Sequence, residues 1–193
     1  MGRIRLKFKS VTEIVGTDEI GLLILVDESE LRQIAITCDR MMLEQFHLRL
    51  SGALPADASS GNSTALLLPE TLWKVVSKMV DGNFDIVIYG LEEGQYKTVL
   101  YNDVTFDRFP IQPSDAILLS LIARVPVFIE EQLMATQSSP YHPTAKGMAI
   151  PVNTISSEML EKALEKAIEE ENYELASYLR DEQRRRLSSR ESV

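Results

Sequence analysis

The chain has 193 residues, 45% of them hydrophobic and 25% charged, with a formal net charge of −9. That length supplies one good core plus an appendage too small to fold robustly alone, and the composition excludes wholesale disorder. Cys38 is the only cysteine, so no intramolecular disulfide forms and a reducing compartment fits.

Acidity removes any long-range attraction toward nucleic acid, whose affinity rests largely on phosphate neutralisation; a local basic face stays open as an alternative. No signal peptide is visible at the N-terminus. The most apolar run, Ala116 to Ala123, is far shorter than the roughly 20 residues a spanning helix requires. The expectation is a cytoplasmic protein with no membrane segment.

In chain order, Arg3 to Val11 alternates as a strand, with Ile4, Leu6 and Phe8 on one face and Arg3, Arg5, Lys7 and Lys9 on the other. Gly21–Val26 and Arg32–Ile36 read as the next strands, around a turn at Asp27-Glu28-Ser29-Glu30. Helical spacing follows from Cys38 to Leu50. Ala53 to Thr64 is a polar, turn-rich loop, and Pro69 opens a second helix through Leu72, Trp73, Val76 and Met79. Phe84–Tyr89, Tyr96–Tyr101 and Val104–Phe109 read as three strands, the first two joined as a hairpin.

Pro113-Ser114-Asp115 opens a third helix that is apolar almost all round to Ala123, the pattern of a buried helix. Val127-Phe128-Ile129 is a short final strand, and Glu130 begins a last turn of helix. Strands in groups with helices between predict an α+β fold, a mixed sheet with packed helices followed by a C-terminal helical hairpin. The expected domains are 1–134 and 156–193, with a proline-bearing linker over 135–155.

The hairpin's first helix, capped by Ser156 or Ser157, carries Leu160, Ala163, Leu164, Ala167 and Ile168 on one face. Asn172 is expected to end it in the left-handed conformation. Leu175, Ala176 and Leu179 continue the apolar stripe on the second helix. Two helices bury too little to stand alone, so this stripe seeks a third surface: its own domain, a second copy or a foreign partner.

His47 and His142 are the only histidines and lie at no ligand-like spacing, so a zinc site is not expected. No glycine-rich phosphate loop or nucleophile elbow is present. Cys38, at a strand-to-helix junction, reads as a small buried hydrophobe rather than a nucleophile.

The stretch Ile111-Gln112-Pro113-Ser114-Asp115-Ala116-Ile117-Leu118-Leu119-Ser120-Leu121, with Val125-Pro126-Val127-Phe128-Ile129, resembles the Pro-Ser-Asp-Ala block of the bifunctional nuclease family. The resemblance extends at lower strength from about residue 3 to residue 134, and implies an α+β fold and phosphodiester hydrolysis of DNA or RNA. It differs in places. Gln112 stands where the family usually has arginine. Leu68-Pro69-Glu70-Thr71-Leu72-Trp73 replaces an Arg-Pro-x-Thr-His-Asp pattern, and Thr37-Cys38-Asp39-Arg40-Met41 replaces a Gly-x-x-Glu-Ala pattern.

On that resemblance, Asp115 is the expected catalytic carboxylate, as metal ligand or general base, with Ser114 beside it. Asp103 and Asp107 would join Asp115 around Mg²⁺ or Mn²⁺, and nucleic acid would lie across Arg3, Arg5, Lys7 and Lys9. The C-terminal segment from Leu160 through Glu171-Asn172-Tyr173-Glu174-Leu175-Ala176 to Leu179-Arg180-Asp181 is similar to the UVR motif, over about 156–187. That implies protein contact or self-association, as a homo-oligomer, through Leu160, Leu164, Ala167, Ile168, Tyr173, Ala176 and Leu179. The alternative to a nuclease is a non-catalytic adaptor in DNA repair or stress response, acting through protein contacts alone.

Overall fold

The structure is a computed structural model that describes residues 2–14, 17–52, 67–92, 94–141 and 157–190. Two antiparallel meanders form its sheet. The first is β1 (Arg3–Ile14), β2 (Thr17–Asp27) and β3 (Arg32–Asp39), followed by α1 (Arg40–Leu50) and α2 (Leu68–Met79). The second is β4 (Phe84–Glu92), β5 (Gln95–Asn102) and β6 (Arg108–Ile111), followed by α3 (Pro113–Ala123). β7 (Val127–Glu130) then enters between the two meanders, parallel to β4 and antiparallel to β1. With α4 (Glu131–Gln137) and β8 (Ser139–Pro140) the strand order is β6-β5-β4-β7-β1-β2-β3-β8. The mixed sheet and α+β class expected from the sequence are therefore present.

Strand alternation sorts side chains onto two faces. One face carries Leu6, Leu23, Leu25, Ile34, Ile36, Ile86, Ile88, Val127 and Ile129. Leu43 and Phe46 of α1, Ala116 and Ile117 of α3 and Met134 of α4 close over it. Each fully buried Leu or Ile there contributes about 1.5–3 kcal/mol. Gly21 is required where α1 approaches β2: a Cβ there would stand 2.8 Å from Cys38 Sγ and 2.9 Å from Leu43 Cδ1.

Several boundaries differ from the sequence reading. Val104–Phe109 is not a strand along its length, because Asn102 Oδ1 accepts the amides of Val104 and Thr105 and folds a turn in which Phe106 has φ 61°. The sheet resumes at Arg108. Beyond residue 135 the chain stays tied to the sheet through Tyr141, whose amide bonds to Leu31 O. The loop expected over 53–64 and the last part of the linker, 142–156, lie outside the described residues.

The hairpin consists of α5 (Ser157–Glu169) and α6 (Tyr173–Arg190). Its apolar stripe does find a third surface. Leu160, Ala163, Ala167, Ala176 and Leu179 are buried together with Ile20 of β2, on the sheet face opposite the main core. Asn172 does not end α5; the left-handed residue is Glu171 (φ 57°), while Asn172 Oδ1 accepts the Leu175 amide and caps α6. Among the described residues no helix is long and apolar enough to cross a membrane.

Candidate active site

α3 begins without a side-chain cap: Gln112 holds the cap position in extended conformation (ψ 140°), and Pro113 follows with its φ already fixed. The Ala116 amide reaches Gln112 O at 2.9 Å, which leaves Ser114 and Asp115, in the first turn, with no acceptor inside the helix. Ser114 is half-buried and Asp115 exposed at this end.

α1 packs against α3. Asp39 caps α1 by accepting the Met42 amide at 2.8 Å, having left β3 in extended conformation. Partial desolvation against the helix start, and then the negative charge of Asp39, raise the Asp115 carboxyl above the ordinary aspartate range although the residue as a whole is exposed. Two carboxylates from different helix starts thus feel each other at one place, and Asp115 binds its proton more tightly as a result. Burial, followed by Asp39, also pushes the Cys38 thiol up to about 12, so this buried cysteine supplies packing rather than a nucleophile.

Residues 63–142 match the model of the bifunctional nuclease domain, and residues 158–185 match the UvrB/UvrC motif. The first of these spans is similar to the bifunctional nuclease family. Comparison with curated proteins gives no match. The nuclease-domain match runs from before α2 to just beyond β8, so Asp115 lies inside it while β1–β3, α1 and Asp39 precede it.

Asp103 and Asp107 do not join Asp115 within the matched span. Asp103 accepts the Asn83 amide at 2.7 Å and the Asn83 side chain at 3.1 Å, contacts that lower its carboxyl and fasten β4 to the β5–β6 turn. Asp107 accepts the Thr105 hydroxyl at 2.6 Å within that turn. Among the described residues no three His, Cys, Asp or Glu side chains come together to hold a metal. The expected three-carboxylate set is not assembled. Asp39 and Asp115 remain as hard oxygen donors of the kind Mg²⁺ accepts when substrate phosphates complete its shell.

The basic stripe is present but faces elsewhere. Arg3, Arg5, Lys7 and Lys9 are all exposed on β1 and point away from Leu6, whereas α3 covers the Leu6 side. Substrate spread along the stripe therefore lies across the sheet from Asp115. Two of its charges are also engaged, Arg5 with Glu28 at 3.8 Å and Lys9 with Glu30 at 2.8 Å.

In the segment that matches the UvrB/UvrC motif, the residues expected to meet a partner divide into two sets. Leu160, Ala167, Ala176 and Leu179 are buried within the hairpin and against Ile20, and Leu164 packs at the edge of that cluster. Ile168 and Tyr173, 45% and 68% exposed, remain on the outside.

Asp39, which stood in the sequence only as a departure from a family pattern, is brought into the candidate site by the fold. An aspartate capping a helix directly after a strand was the available signal.

Proposed function

We propose that this chain hydrolyses phosphodiester bonds of DNA or RNA at the joint start of α1 and α3. The observation that carries the reading is the uncapped first turn of α3, which presents Ser114 and Asp115 inside the nuclease-domain match. The free first-turn amides and the Ser114 hydroxyl donate to phosphate oxygens, and the helix dipole favours that negative charge. Asp115 takes the proton of the attacking water, a role its raised proton affinity favours. Asp39 sustains that affinity from the α1 cap. In place of that base role, Mg²⁺ or Mn²⁺ arriving with the phosphate would be held by Asp39 and Asp115, would lower the proton affinity of Asp115 and would supply charge neutralisation at the phosphoryl oxygens.

The test is cleavage of single-stranded DNA, duplex DNA and RNA by the purified chain with Mg²⁺, Mn²⁺ or EDTA. Loss of cutting in Asp115→Asn at unchanged thermal stability supports the reading. Cutting that survives the substitution, or no cutting by the parent under any condition, overturns it.

A second reading, the non-catalytic adaptor, draws on α2. No α2 residue is buried, and Leu68, Leu72, Val75 and Met79 form an exposed apolar stripe, with Met79 at 78%. A second copy of the chain is the occupant this reading assigns to the stripe, consistent with a homo-oligomer. A Leu72→Glu, Met79→Glu variant that sediments as a smaller species than the parent supports it; identical sedimentation removes it.

A further inference from the structure

On the sheet face away from Asp115, a shallow basin of about 260 Å³ opens above β1, β7, β4, β5 and β6. Val87 and Val99 make its floor. Its walls are Arg3, Tyr89, Tyr101, Arg108 and Glu130, contributed by five different strands. The Arg3 guanidinium stands 5.7 Å from the Tyr101 ring centroid, and the Phe106 ring lies 6.4 Å beyond Tyr101, 69% exposed.

Two local features create this arrangement. Tyr101 is paired with Arg108 across the β5–β6 ladder, which puts an aromatic ring and a guanidinium side by side on one face. The β4–β5 register shifts between Ile88 and Gly90, and this bulge turns Tyr89 out to 45% exposure. Leaving a tyrosine so exposed contributes little to the core, and the bulge directs its ring toward the basin.

We infer that this face is a binding platform for single-stranded nucleic acid, with bases stacked on Tyr89 and Tyr101 and phosphates held by Arg3 and Arg108. Exposed rings interleaved with arginines on a sheet accept any base through its π-face and grip the backbone by charge. Duplex is excluded, because its bases are already stacked. Glu130, opposite Arg3 in the β1–β7 ladder, turns phosphate toward the two arginines and accepts from base N–H groups such as the N3–H of thymine or uracil.

β6 is the sheet edge, and the four residues that follow Ile111 lead to Asp115. Phe109 shares the face of Leu100, its ladder partner, and is 50% exposed on that edge. A strand gathered on the platform reaches the α3 start by folding over β6. The inference rests on the proposed phosphodiesterase reading for its choice of ligand, but binding and cutting occur on different faces and can be measured apart.

The experiment is fluorescence anisotropy of a labelled ten-nucleotide oligothymidylate or oligouridylate with the full-length chain, in EDTA at low salt. Tyr101→Ala and Tyr89→Ala are each expected to weaken binding by about tenfold or more. Arg108→Gln should weaken it and lower the salt slope by about 0.7, whereas the charge-matched Lys74→Gln on α2 should do neither. Tyr89→Ala serves if Tyr101→Ala fails to fold.

No binding of either oligomer, or parental binding in both Tyr89→Ala and Arg108→Gln, overturns the platform. Thymidine or uridine monophosphate that competes as strongly as the ten-mer would make the ligand a single nucleotide and overturn the strand assignment. Binding that persists in a chain that never cuts leaves the platform standing and removes only the hydrolytic reading.

Discussion

Arg49 and Glu70 join α1 to α2 through a largely buried ion pair. Arg49 Nε and Nη2 both stand 2.8 Å from Glu70 Oε1, with side chains 6% and 18% exposed. Arg49 Nη1 is further held by Gln45, at 3.0 Å from its carbonyl and 2.9 Å from its side-chain oxygen. Glu70 Oε2 is buried without a hydrogen bond among the described residues, so the pair is incompletely satisfied. Removing one partner leaves the other charge uncompensated. Arg49→Met or Glu70→Leu alone should cost about 3 kcal/mol or more, and the double variant markedly less than the sum. Urea unfolding of the four species checks this.

The pH profile of cleavage should show the Asp39–Asp115 coupling. A general base works when deprotonated, so activity rises as pH climbs through the raised Asp115 value. Asp39→Asn removes one of the two causes of that rise and leaves burial in place. The ascending limb should then move to lower pH without reaching the ordinary aspartate range. A limb that stays put would break the assignment of Asp115 as the base.

Tyr96 is 3% exposed, and its hydroxyl has no hydrogen-bond partner among the described residues. Burial pushes the phenol up to about 12. Tyr96→Phe deletes an unsatisfied polar atom and keeps the ring, so a gain of about 1 kcal/mol is expected. Thermal melting of the two proteins decides it.

Cys38 and Gly21 form a tight contact across the β2–β3 ladder. Gly21→Ala places a methyl against Cys38 Sγ and Leu43, and should destabilise by about 1–3 kcal/mol. The thiol, pushed up to about 12, should resist alkylation at pH 8 in the native chain and react once the chain is unfolded. The sign follows from the shift: burial of the neutral thiol costs nothing below the ordinary thiol range, and its contribution is lost as pH rises toward 12.

Much of the sheet was legible because its strands keep strict alternation: Ile4, Leu6 and Phe8 against Arg3, Arg5 and Lys7 fix β1 without any tertiary information. The buried character of α3 was equally plain from its run of apolar residues. What escaped was everything that depends on pairing. Spacing cannot say that β7 separates β1 from β4, and only that arrangement sets Arg3 beside Tyr101. Nor can it say on which face a carboxylate falls, and so Asp103 and Asp107, close to Asp115 in sequence, serve a turn instead. The hairpin's stripe was visible as apolar spacing, but Ile20 as its support was not, because β2 buries residues on both faces.

The position of β7 also has a consequence for how the chain is made. Each meander closes through contacts between near neighbours in sequence, but they are joined in the sheet by four residues that arrive after both: Arg3 pairs with Glu130, and Ile86 with Val127. Until residue 130 has left the ribosome, β1 and β4 each present an open edge, and two half-sheets wait side by side with apolar faces only partly covered. Folding of the whole is governed by this long loop closure rather than by the fast local hairpins. A nascent chain paused before Val127 is thus a pair of sticky fragments, and its completion is a single late insertion.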